Sequence, residues 1–148
     1  LEGAFLSAKH GGSMLKDTNG SIVLTSSTAG IYGFPNRAPY AAAKWGIIGL
    51  MKTLAMEWGP AGVRANAICP GAVEGPRMQG VMEREAITKG TTYQKIYDGY
   101  AGGTSMRSLV TADDIANMAV FLCSPGARLV SGQVIAVDGH TENPDPKV

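Results

Sequence analysis

Three short, largely apolar runs, Ser21–Ser26, Val63–Cys69 and Gly132–Val137, are separated by stretches long enough for helices. None shows the strict apolar–polar alternation of a half-solvated strand, and runs of this kind suit strands buried on both faces, as in parallel sheets. Parallel neighbours require a crossover, which a helix of ordinary length supplies with right-handed connectivity. The order along the chain is helix, strand, helix, strand, a polar insert, helix, strand. That order predicts an α/β fold with a parallel sheet of about three strands and flanking helices.

The helices have readable ends. Ala4, Phe5, Ala8, Met14 and Leu15 space as the apolar stripe of a first helix, stopped by the polar run Lys16 to Gly20. Tyr40–Glu57 is rich in Ala and Leu, follows Pro39 and ends at Gly59-Pro60. Thr111-Ala112-Asp113-Asp114 opens a third helix, with a hydroxyl cap and two acids at its positive end, running to Cys123. Residues 30–39 are loop. Residues 74–108 are polar and rich in Gly, Thr, Met and Tyr, with weak helical stretches at Met82–Lys89 and Thr92–Tyr100. That composition fits a mobile flap over a site. The expected organisation is one α/β domain over 1–148, with sheet and helices in 1–73 and 109–139, the flap in 74–108 and a polar tail in 140–148.

Bulk properties narrow the function. With 148 residues, 45 % hydrophobic and 17 % charged, the chain has the size and balance of one packed domain. Thirteen basic against twelve acidic residues leave a net charge of +1, which excludes broad electrostatic binding to nucleic acid or anionic membrane. Cys69 and Cys123 stand alone, with neither metal-ligand spacing nor a disulfide framework, so no metal is expected and a reducing cytoplasm is the expected setting. No apolar run reaches the ~18 residues of a membrane span, and no signal segment opens the chain.

Tyr40 and Lys44 are four apart on one helix, so their side chains share a face. An ammonium beside a phenol favours the phenolate and makes it a better acid/base. Such a pair arises by chance in many helices, but its context adds weight. Ser27 ends a strand thirteen residues earlier, the next strand ends at Pro70-Gly71, and ligands of open α/β sheets bind beyond the carboxyl ends of strands. A hydroxyl, a phenol, an amine and a glycine turn should therefore converge at one sheet edge.

These residues, with Ser26-Ser27, Tyr40-Ala41-Ala42-Ala43-Lys44, Val63 to Ala67, Pro70-Gly71 and Ser131-Gly132-Gln133…Val137-Asp138-Gly139, make the chain resemble the short-chain dehydrogenases/reductases, in particular their 3-oxoacyl-reductase-like members. The resemblance covers nearly the whole chain and implies a partial Rossmann-like, doubly wound sheet. It implies that Tyr40 moves the proton on the substrate oxygen, that Lys44 eases ionisation of Tyr40 and bonds the nicotinamide ribose, and that Ser27 holds the substrate carbonyl or hydroxyl. Pro70, Gly71 and the Val73 backbone would line the nicotinamide of NAD or NADP. Met78, Met82, Tyr93 and Tyr97 would wall a small alcohol or ketone. In the family the two helices matching Leu1–Leu15 and Tyr40–Glu57 form a subunit interface, so a homodimer or homotetramer is expected, and β-edge exposure at Ser21–Ser26 points the same way.

Two departures qualify the resemblance. The family usually has a Thr two residues after the position of Val73, and here that residue is Gly75. No G-x-G-x-x-G or T-G-x-x-x-G-x-G phosphate loop occurs in the 148 residues, so the chain matches the carboxyl-terminal half of such an enzyme and is expected to bind NAD(P)H weakly or not at all by itself. Two readings follow: an NAD(P)-dependent oxidoreductase, or a catalytically inactive, truncated module that keeps the oligomer-forming surfaces. Other signals have plain explanations. Ser13-Met14-Leu15-Lys16 lacks the companion motifs of S-x-x-K enzymes and reads as helix surface. Asn19-Gly20-Ser21 is a turn, His10 and His140 are solvated or satisfied, Cys69 is a small buried hydrophobe, Asp113-Asp114 is a helix start, and Trp45 and Trp58 serve packing or subunit contacts.

Overall fold

The computed structural model describes residues 1–144. Helix α1 (Glu2–Asp17) leads through a turn at Asn19, whose φ is 50°, into strand β1 (Ser21–Thr25). Helix α2 (Ala38–Trp58) and strand β2 (Arg64–Pro70) follow, then α3 (Pro76–Lys89), α4 (Tyr93–Gly102), α5 (Ala112–Cys123) and β3 (Val134–Val137). The three strands are parallel in the order β1-β2-β3, with Leu24 opposite Ala67 and Ala67 opposite Val134. This is the predicted α/β sheet with flanking helices.

β2 lies in the middle, and its alternation divides the core. Ala65, Ala67 and Cys69 are fully buried against Ile47, Ile48, Met51 and Leu54 of α2 and Ala8 of α1. Side chains of a strand alternate between faces, so Asn66 and Ile68 turn to the other side. There Arg64 donates to the carbonyls of Leu122 and Ser124 at the end of α5. Small residues on β2 let α2 approach closely, while Met51 and Leu54 each contribute roughly 1.5–3 kcal/mol by burial. A Cβ on Gly12 would stand 2.8 Å from the Trp58 ring, so α1 meets the end of α2 through a glycine.

Local chemistry explains the ends. Pro39 lies inside the first turn of α2, where its missing N–H is no loss. At α5 the predicted hydroxyl cap is a complete capping box. The Thr111 hydroxyl oxygen accepts from the Asp114 N–H at 3.2 Å, and the Asp114 carboxylate accepts from the Thr111 N–H at 2.7 Å. β3 begins at Val134 rather than Gly132. The Asn66 amide occupies the ladder before it, donating to the Val130 carbonyl at 2.7 Å and accepting from the Gln133 N–H at 3.0 Å.

The polar insert differs from the weak helicity its composition predicts. α3 starts six residues earlier than expected, with Pro76 in its first turn, and stops at Gly90 with φ 63°. Thr92 caps α4 by accepting from the Lys95 N–H at 3.3 Å. Met82, Ala86, Ile96, Ala101 and Leu109 form a second small core between the two helices. The tail, too, is partly structured: Glu142 and Asn143 donate backbone N–H groups to the Gly103 carbonyl at 2.9 and 3.0 Å. Residues 145–148 of that predicted tail lie outside the described residues.

Candidate active site

The carboxyl ends of β1 and β2 open on a cavity of about 930 Å³. Ser27, Tyr40, Lys44, Pro70, Gly71 and Val73, each singled out from the sequence, all line it. They come from the end of β1, the first turns of α2 and the segment after β2, so the sheet brings them together as its strand order requires.

Lys44 is held at its tip. Its ammonium donates to the Thr25 carbonyl at 3.1 Å and stands 5.6 Å from the centroid of the Tyr40 ring. One of its three N–H donors is thereby used, leaving two for a bound group. Tyr40 is 39 % exposed, enough for its hydroxyl to meet a ligand. Ser27 has extended backbone, with φ −171° and ψ 165°, and caps a single helical turn at Thr28–Gly30. Its oxygen accepts from the Ala29 N–H at 3.2 Å. Used there as an acceptor, the hydroxyl keeps its own proton to donate.

Behind these groups stand two more, Ser26 and Gly30. Ser26 is buried, takes the Ile68 carbonyl at 2.8 Å with its N–H, and donates its hydroxyl to the Lys44 carbonyl at 2.8 Å. Gly30 makes room for that bond: a Cβ there would lie 2.3 Å from the Ser26 hydroxyl oxygen. The spacing Ser26-Ser27-x-x-Gly30 carries the signal, one serine facing inward and the next facing the cavity. Cys69 sits below them. Burial pushes its thiol up from the ordinary range, against the opposing pull of hydrogen bonds with the Ser26 side chain and the Ser27 backbone.

The segment after β2 offers a place for a planar amide. The bridge between Val73 and Val110 uses the Ala72 carbonyl, which accepts at 3.1 Å, and the Glu74 N–H, which donates at 2.8 Å. Alternation turns the N–H and carbonyl of Val73 the other way, and among the described residues neither has a hydrogen-bond partner. One donor and one acceptor on a cavity-lining residue suit a carboxamide, and the spare Lys44 donors suit vicinal hydroxyls, so the residues present fit a nicotinamide riboside. Gly75, in place of the family's Thr, has φ 145° and, among the described residues, no atom within 4 Å of where a Cβ would stand. That backbone angle disfavours any side chain.

The predicted walls divide. Met78 lines the main cavity, but Met82 is buried in the α3–α4 core, and Tyr93 and Tyr97 line a smaller cavity of about 290 Å³ on the far side of Glu74 and Met78. The Tyr97 hydroxyl donates to the Glu74 carboxylate at 2.8 Å, and that bond raises the phenol above its ordinary range. Val81 and Tyr100 take their place on the main wall, together with Arg37 and Arg77. The sequence held no local sign of these, because which side chains of a loop or a weakly patterned insert face a cavity is set by tertiary packing rather than by periodicity. Among the described residues no group of three or more His, Cys, Asp or Glu could hold a metal, and no helix is long and apolar enough to cross a membrane.

Comparison with known proteins gives a consistent picture. A family model described as enoyl-(acyl carrier protein) reductase matches residues 1–140. The chain is 38 % identical over 126 residues to a 3-oxoacyl-(acyl-carrier-protein) reductase of Thermotoga maritima, covering 85 % of this chain and 47 % of that protein. It is 36 % identical over 139 residues to trans-4-hydroxycyclohexanecarboxylate dehydrogenase of Sinomonas cyclohexanicum, covering 94 % and 48 %. A crystal structure of an actinorhodin polyketide ketoreductase with NADPH superposes with a TM-score of 0.88 at 33 % identity, over 97 % of this chain and 56 % of that one. The chain spans about half the length of the curated relatives it matches.

Proposed function

Because the chain belongs to the short-chain dehydrogenase/reductase family, we propose that it carries the proton-transfer part of an NAD(P)-dependent interconversion of a secondary alcohol and a ketone. The observation that carries this reading is the shared cavity. Ser27, Tyr40, Lys44 and the Pro70–Val73 backbone line it together, with the Lys44 ammonium 5.6 Å from the Tyr40 ring.

A bound nicotinamide dinucleotide supplies or takes the hydride. The residues of this chain handle the oxygen. In reduction, the Tyr40 hydroxyl gives its proton to the carbonyl oxygen as that oxygen gains negative charge; in oxidation, the tyrosinate takes the alcohol proton. The Ser27 hydroxyl donates to the same oxygen, and a donor fixed before the reaction stabilises the developing charge without reorganisation. The Lys44 ammonium stabilises the phenolate left on Tyr40 and offers its remaining donors to ribose hydroxyls. The Val73 N–H and carbonyl would hold the carboxamide, and Pro70 and Gly71 would line the nicotinamide. The α3–α4 hairpin covers the substrate and excludes water. The NADPH of the related ketoreductase supports the cofactor class, and the isolated cysteines fit a cytoplasmic setting.

Self-association belongs to the same reading. β1 pairs only with β2 among the described residues, and α1 and α2 leave Phe5, Leu6, Met14, Trp45 and Met56 exposed. An apolar face of this kind fits a second copy of the chain in a homodimer or homotetramer.

In a form of the protein that binds the dinucleotide, replacing Tyr40 by Phe and assaying alcohol oxidation alongside a fluorescence titration with NADH and NADPH tests the proposal. The expected outcome is a loss of turnover of about 10²–10⁴-fold, the size of a general acid–base term, with dinucleotide affinity unchanged. Retained turnover removes Tyr40 from proton transfer.

A further inference from the structure

The charged side chains on the wall of the main cavity are Arg37, Lys44, Arg77 and Glu74. Lys44 gives one donor to the Thr25 carbonyl and Glu74 accepts from Tyr97, but the two arginines have no carboxylate partner among the described residues, where the ion pairs are Lys89–Glu85 and Arg107–Glu142. Glu85 feels the Arg37 charge, yet its carboxylate is taken up by Lys89 at 2.7 Å and Tyr100 at 2.9 Å. The wall therefore carries an excess of positive charge beside the residue proposed to move the proton. A cleft lined by one sign of charge concentrates ligands of the other.

Arg37 is placed for this. It is the N-cap residue of α2, one turn before Tyr40, and its guanidinium lies 6.0 Å from the centroid of the Phe34 ring. Stacking on an aromatic face holds the planar fork without consuming its N–H donors, and that fork matches carboxylate and phosphate oxygens in pairs. Arg77, in the first turn of α3, lines the same cavity from a different element.

We infer that Arg37 and Arg77 form an anion subsite, so that the alcohol or ketone processed at Tyr40 carries a carboxylate or phosphate group. The inference rests on the oxidoreductase reading above and narrows its substrate to hydroxy and oxo acids or their phosphate-bearing counterparts. Anionic oxygens could also come from the diphosphate of a dinucleotide, and the test separates the two sources.

Paired probes, 3-hydroxybutyrate and its methyl ester, report the charge preference at constant carbon skeleton. In the unaltered protein the acid is preferred by kcat/KM, and Arg37→Gln and Arg77→Gln each lower the acid-to-ester ratio about tenfold or more, the size of a charged hydrogen bond. The loss appears in KM for the acid. An unchanged ratio in both variants overturns the inference, as does a rise in KM for the dinucleotide instead, which assigns the arginines to its phosphates. Calorimetric titration of the chain with 3-hydroxybutyrate reads the site without turnover. Binding that is weakened in Arg37→Gln supports the subsite even where no oxidation is detected, a result that removes the catalytic reading alone. Equal heats for the unaltered chain and the variant overturn the subsite.

Discussion

The hydroxyl of Ser26 donates to the main-chain carbonyl of Lys44 at 2.8 Å, while the ammonium of the same lysine donates to the Thr25 carbonyl at 3.1 Å. Two consecutive residues at the end of β1 thus hold both ends of Lys44. The lysine of α2 is registered on the sheet rather than left to its four flexible carbons, and Tyr40, one turn earlier, shares that registration.

Gly30→Ala is expected to loosen this arrangement. The added Cβ would meet the Ser26 hydroxyl oxygen at 2.3 Å and the Lys44 carbonyl oxygen at 3.0 Å, and overpacking of this kind costs about 1–3 kcal/mol. Combining it with Ser26→Ala removes one of the clashing atoms. Urea unfolding should therefore show the double variant less destabilised than the sum of the singles; strict additivity would mean that the two residues do not press on each other.

The capping box of α5 should make part of the stability depend on pH. The Thr111 N–H and hydroxyl hold the Asp114 carboxyl below the ordinary carboxylate range. A carboxyl depressed in the folded state contributes stability that is present above its unfolded pKa and lost as the pH falls through the folded value. Asp114→Asn should accordingly lower Tm at neutral pH, with the difference from the unaltered protein closing on acidification below about pH 4. A gap that stays constant from pH 7 to pH 2.5 would show that charge plays no part in the cap.

The two thiols should react at different rates. Cys69 is fully buried, and burial pushes its thiol up; Cys123 is exposed at the end of α5. Thiolate is the reacting form. A thiol-exchange reagent near neutral pH is expected to modify one cysteine per chain, with the second released only in denaturant, and Cys123→Ser should abolish the first phase. Two equally fast equivalents would contradict the packing of β2.

Light scattering at micromolar concentration tests the exposed faces of α1 and α2. The chain is expected to run as a dimer or tetramer, and Phe5→Glu with Trp45→Glu, at positions each 52 % exposed, should shift it toward the monomer without lowering helicity. A monomer in the unaltered protein would leave these apolar side chains without the partner proposed for them.

Much of this architecture was legible in the chain because it is written locally. Short apolar runs between Gly and Pro, a hydroxyl before a helix, and Tyr40 four residues before Lys44 each express their role through near neighbours, so strands, helix starts and the candidate acid/base could be read one after another. The α3–α4 hairpin resisted this treatment. Its polar residues hide a sparse stripe, Met82 and Ala86, that becomes a core only when Ile96 and Leu109 close on it.

The amino-acid order alone determined the α/β class, the parallel sheet and the residue types gathered at the strand ends, since propensity, periodicity and capping act within a few positions. Only the folded chain decided that Ser26 faces inward while Ser27 faces the cavity, that Tyr93 and Tyr97 border a different space from Tyr40, and that Arg37 and Arg77 line one cavity with no carboxylate partner among the described residues. Those outcomes depend on distances between segments tens of residues apart, set by close packing, and no local pattern encodes them.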